Sequence, residues 1–152
     1  MTWINLTATD LLATGHKDLV EAASRKATAL GQPDPIPALI QNTIAEINSQ
    51  IGFRSPGMVD ADPTRLAPNL KSAALKKIGR ELKGRLQLKL NIDEVSDEKS
   101  YQKLLLELRE GKAPVDATDN PVAGLAQPAG GTGAALVTHS RRRLTERTLR
   151  GI

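Results

Sequence analysis

Apolar positions recur at helical spacing through much of the chain. Ile36, Leu39, Ile40, Thr43, Ile44, Ile47 and Ile51 fall at i, i+3, i+4, i+7, i+8, i+11 and i+15. That is the 3.6-residue stripe of a helix with one buried face. Gln41, Asn42, Glu46, Asn48 and Gln50 form its polar side, and Gly52 is its expected end. Upstream, Trp3-Ile4-Asn5-Leu6 is a short apolar lead into a helix start. Thr7 can cap there, with Asp10 as the acidic partner of a capping-box pair, and Gly15 is the predicted stop. A second helix is predicted over 17–30, with Leu19, Val20, Ala23, Ala27 and Leu30 on one side. Gly31 and the alternating Pro33, Pro35 and Pro37 predict an extended connector.

Residues 54–68 carry Pro56, Gly57, Asp60, Asp62, Pro63 and Pro68 and read as a loop. A long helix resumes at Asn69. Leu70, Ala74, Leu75, Ile78, Leu82 and Leu86 point inward and the lysines outward. Gly79 and Gly84 weaken it by roughly 1 kcal/mol each relative to Ala, and leave room for another backbone to come close. The pattern breaks over 91–95. A last helix over 96–110 buries Tyr101, Leu104, Leu105 and Leu108, with Gly111 placed as its C-terminal cap.

Beyond Lys112 the periodicity ends. Residues 113–152 are rich in Pro, Gly and Ala and poor in large apolar residues. Gly130-Gly131-Thr132-Gly133 is a joint, Ala134–Thr138 is short and β-tolerant, and the segment closes on a basic run. The predicted fold class is therefore all-α: a small bundle of about four to five helices over 1–112. An extended C-terminal arm over 113–152 follows, ordered on partner docking because it lacks a core of its own. Trp3, Phe53 and Tyr101 are the only aromatics. An aliphatic core suits helix-on-helix packing better than a sandwich or barrel.

Charge adds a second layer. Residues 65–89 hold eight bases against Glu81 alone, whereas residues 1–64 hold four bases and seven acids. A basic stripe on a mildly acidic body fits nucleic acid, or the acidic face of an identical neighbour. A solvated helix face is the plain alternative. Aromatic interleaving for base stacking is absent, so contact with DNA would be with phosphates. In the arm, Arg141, Arg142, Arg143, Arg147 and Arg150 are interleaved with Leu144, Leu149 and Ile152. That pattern favours docking on a protein over binding DNA.

Catalytic chemistry finds little purchase. There is no cysteine, which excludes thiol catalysis, thiolate metal sites and disulfides. The Gly130–Gly133 run lacks the Lys-Ser/Thr of a phosphate loop. His16 and His139 have no partner at metal or triad spacing, and His16 is expected as a solvated turn residue. Asp93, Glu94, Asp97 and Glu98 lack calcium-loop spacing and suit the start of a helix. The expectation is a non-enzyme with no cofactor and no metal. No signal-like segment or membrane-length apolar run is seen, so it is expected to be soluble and made in the cytoplasm.

The order of features resembles a known class. Trp3-Ile4 leads into Thr9-Asp10-Leu11-Leu12, and an Ile-striped helix runs through Ile44-Ala45-Glu46-Ile47-Asn48. A proline loop precedes Pro68-Asn69-Leu70-Lys71 and a helix containing Arg85-Leu86. A final helix ends Leu104-Leu105-Leu106-Glu107-Leu108-Arg109-Glu110-Gly111-Lys112. Over roughly residues 3–112 this resembles the head–tail connector (adaptor, head completion) proteins of tailed bacteriophages, of the Mu-like type.

The resemblance implies a structural role in the virion neck, at the head–tail interface. About twelve identical subunits would form a closed ring under the portal protein and extend the DNA channel. The ring would present a platform to the next neck or tail-completion protein. Genomic DNA would be contacted nonspecifically, and no membrane is involved. The C-terminal arm would dock on the portal through Leu136, Val137, Arg141, Arg142, Arg143, Leu144, Arg147, Leu149 and Arg150. Lys71, Lys76, Lys77, Arg80, Lys83 and Lys89 would face the channel or a neighbouring subunit. The alternative is a nonspecific nucleic-acid-binding helical module using the 71–89 stripe and the basic tail.

Overall fold

In a computed structural model of the chain, residues 2–122 are described. The arm positions Leu136, Val137, Arg141, Arg142, Arg143, Leu144, Arg147, Leu149 and Arg150 lie outside them. Five α-helices build the body: α1 (Ala8–Ala13), α2 (Lys17–Ala29), α3 (Pro35–Arg54), α4 (Lys71–Arg85) and α5 (Ile92–Glu110). The helical bundle expected from the periodicity is the fold observed. Two short strands, β1 (Ile4–Asn5) and β2 (Arg65–Leu66), pair antiparallel with Ile4 opposite Leu66. At two residues each they were below the length that alternation can reveal.

α3 is the central helix, and α2, α4 and α5 all pack on it. Its predicted stripe is the core: Ile36, Leu39, Ile40, Thr43, Ile44, Ile47 and Ile51 are all buried. The helix departs from expectation at both ends. Pro35 and Pro37 lie in its first turn rather than in a connector, because the backbone N–H groups they lack have no intrahelical partner there. Asp34 caps it by accepting from the Ile36 N–H at 3.1 Å. At the other end Gly52 is internal, and its missing Cβ leaves space for Val59.

Local signals elsewhere hold more closely. The Asp10 carboxylate accepts from the Thr7 backbone N–H at 2.9 Å, fixing the start of α1. Gly111 ends α5 in the left-handed region at φ 70°. α5 begins at Ile92, four residues earlier than expected. Asn91 caps it, accepting from the Glu94 N–H while Glu94 returns a bond to the Asn91 N–H. Asp93 and Glu94 thus occupy its first turn, as their charge suggested. Gln87, at φ 59°, takes the left-handed position after α4 that glycine commonly fills. Of the predicted core, Leu30 is exposed, having passed the end of α2.

The expected boundary at residue 112 is not where packing stops. Residues 113–122 lie along the body as a strap. The Trp3 indole donates to the Asp116 carbonyl at 2.8 Å. Asn69 donates through its side chain to the Pro114 carbonyl at 2.8 Å and through its backbone to Asp116 at 3.2 Å. The buried Asp60 carboxylate accepts from Thr118 and Asn120, and the Ala61 N–H donates to the Asn120 carbonyl at 2.8 Å. Ala113 and Val115 pack against the core. Polar side-chain bonds carry most of this docking, so no apolar rhythm announced it.

Candidate functional site

The basic stripe on α4 was the strongest candidate surface within the body. Its bases recur at positions 76, 80 and 83, which share one helical face. That face meets α5, whose acids at 94, 97 and 98 lie opposite. Lys76 pairs with Asp97 at 3.1 Å, Arg80 with Glu98 at 2.8 Å, and Lys83 with Glu94. Lys77 pairs with Glu81 on its own helix at 3.1 Å, and Lys71 reaches Asp10 of α1 at 2.6 Å. Five of the six stripe residues named above are therefore matched within the molecule. Lys89 lies beyond α4, exposed, and makes no ion pair among the described residues.

Burial separates these pairs. Lys76 and Asp97 are well exposed, and such pairs contribute little. Arg80 is different: it is only 7% exposed, contrary to its expected outward position. Its guanidinium lies 5.7 Å from the centre of the Tyr101 ring, and the Lys77 ammonium 5.5 Å. Tyr101 donates to Glu46 of α3 at 2.9 Å, so the cluster ties α4, α5 and α3 together. Burial, then the bond to Glu46, raises the Tyr101 hydroxyl pKa far above its usual value, keeping it a donor.

The acids respond in turn. Asp10 is held below its ordinary value, chiefly by the Lys71 ammonium and the Thr7 N–H. Glu94 is lowered by the Lys83 ammonium and the Asn91 N–H. Desolvation pushes Glu98 upward, but hydrogen bonds from Gln102 and Arg80 outweigh it and leave the carboxyl lowered.

Over the whole body the charges balance. Residues 1–122 hold sixteen bases and sixteen acids, while 123–152 hold five arginines against Glu146. The net positive charge of the chain belongs to its C-terminal stretch.

His16 is not a free turn residue. It precedes α2 and lies half-buried against α4, where Gly79 makes room for it. A Cβ on Gly79 would stand 2.6 Å from the imidazole Cε1. The small residue thus admits a side chain, not a neighbouring backbone. Burial first, and the Lys83 charge second, lower the imidazole pKa, with Glu94 opposing them. Gly84 meets nothing within 4 Å.

One end of the body is apolar and uncovered. The turn from α4 to α5 exposes Leu88, Leu90, Ile92 and Val95, with Ile92 at 89%. Four large aliphatic side chains in eight residues are more than the scattered singles of an ordinary surface. Sequence reading missed this corner because an interrupted helical pattern passes for a plain linker.

Among the described residues, no group of three or more His, Asp or Glu could hold a metal ion. No helix among them is long and apolar enough to cross a membrane. No family model, curated protein or solved structure matches the chain.

Proposed function

We propose that this chain is a structural adaptor of a bacteriophage head–tail connector, a docking protein of the virion neck. The observation that carries docking over DNA binding is the fate of the basic stripe. Six of the eight bases over 65–89 are paired with carboxylates of the same molecule, Arg65 with Asp62 among them, leaving Arg85 and Lys89 to displace counterions from DNA. The phage context comes from the resemblance in residues 3–112. In this reading the charge-balanced body packs beside identical copies in a ring, with the apolar α4–α5 turn at a subunit contact. The arginine-bearing arm meets an acidic or carbonyl-rich surface of the portal.

DNA titration separates this reading from the nucleic-acid alternative. The full chain, basic tail included, should show no measurable DNA affinity at about 50 mM salt. Binding by the full chain whose affinity falls steeply with salt, at about −0.9 per phosphate contact, would favour the alternative.

A further inference from the structure

We infer that Leu125, just beyond the strap, seats in the apolar groove beside α3 and so anchors the root of the C-terminal arm on the body. The inference does not depend on the connector reading. The groove, of about 490 Å³, is lined by Ala45, Asn48 and Gly52 of α3 and by Pro56 and Val59 of the turn that follows. The three α3 positions are spaced i, i+3 and i+7, so they share one helical face. Val122 lines the same groove, so the strap already forms part of its edge.

The direction of the strap selects the occupant. Asp60 and Pro121 form an antiparallel bridge, and the Ala61 N–H donates to the Asn120 carbonyl. In antiparallel pairing one chain advances as the other recedes. Continuing this register sets Val122 opposite Val59 and Leu125 opposite Pro56. Three residues span about 10 Å at most, so Leu125 stays within reach of the groove.

The chemistry of the segment fits. Leu125 is the first large apolar residue after Val122, and the next is Leu136. Ala123 and Gly124, between Val122 and Leu125, are small enough to pass close to the surface. No charge in the groove calls for an ionic guest. The buried Asp60 carboxylate is held by the Asp62 N–H, Thr118 and Asn120, and the buried Asn48 donates through Nδ2 to the Arg65 carbonyl at 2.9 Å. A leucine entering here exchanges water for alanine, proline and valine surface. Its covalent tether gives it an effective concentration on the order of mM, which a separate chain must exceed. Residues 126–152 then remain to reach a partner.

The test uses the full chain with labelled Leu, Val and Ala methyl groups. Expected are nuclear Overhauser contacts from the Leu125 methyls to those of Val59 and Ala45, within one chain. Leu125→Ser should lower the urea midpoint by about 1 M, read by the fluorescence of Trp3. Leu125→Met, which keeps the volume, should retain most of the parent's stability. Absence of the Leu125 contacts, or a midpoint shift under about 0.2 M for Leu125→Ser, would overturn the inference. Contacts that appear only between differently labelled copies would put a second copy in the groove and overturn it as well.

Discussion

Replacing Asp60 by alanine measures how firmly the strap of residues 113–122 is held. The carboxylate is 3% exposed and accepts three hydrogen bonds. One comes from the Asp62 N–H at 2.9 Å, one from the Thr118 hydroxyl and one from the Asn120 amide at 3.3 Å. Two of the three donors belong to the strap. A hydrogen bond to a charged acceptor contributes about 1.5–3 kcal/mol, and the longer Asn120 bond falls at the weak end. Thr118 and Asn120 can reach water once released, so no buried donor is orphaned on the strap side. The expected loss is about 3 kcal/mol, a large share of a typical domain's stability. With a urea dependence of about 1.5 kcal/mol per molar, the unfolding midpoint should fall by about 2 M. Trp3 is the sole tryptophan and donates to Asp116 of the strap, so its fluorescence reports the event directly. The Thr118→Ala, Asn120→Ala double variant should lose less when Asp60 is already alanine, because the three residues form one network. A midpoint shift under about 0.5 M, or losses that simply add, would refute this reasoning.

Glycine substitutions in α4 should split in sign. Gly79→Ala drives a methyl into His16 and should lower stability despite better helix propensity, whereas Gly84→Ala meets open space and should gain about 0.5–1 kcal/mol by thermal unfolding. Because the His16 pKa is depressed on folding, the unfolded chain takes up that proton first as pH falls. Stability present above the ordinary value of 6.5 should therefore decline as pH drops below it, and His16→Gln should flatten that decline in pH-dependent urea titrations. Asp10 and Glu94, lowered from 3.8 and 4.5, contribute stability that is lost only further down, as pH falls below those values. If the ring reading proposed above holds, Ile92→Glu, at an 89% exposed position, should leave the unfolding free energy within about 0.5 kcal/mol of the parent and abolish self-association in sedimentation runs, and a parent that stays monomeric would count against that reading.

Much of the body was legible because its cues are local. The isoleucine stripe of α3 needs only its own spacing, and Thr7, Asp10 and Gly111 act within one turn of where they sit. Pro35 and Pro37 misled because proline breaks helices everywhere except the first turn, and only the Asp34 cap distinguishes the two cases. The site was harder to read. The bases of α4 and the acids of α5 are both visible in the sequence, but taken singly the bases read as a surface and the acids as dipole partners. A short link between two helices of opposite charged faces is the cue that joins them. The strap carried no such cue, since Trp3, Asn69 and Asp60 reach it across more than forty residues each.

The most direct test of the adaptor reading is co-purification with a portal protein, imaged by electron microscopy, for the full chain and for residues 1–122. The shorter form keeps the strap and hence the folded body. The account predicts a ring of this protein on the portal with the full chain, and none with residues 1–122. Absence of portal association from the full chain, or an unchanged ring from the shortened one, would contradict it.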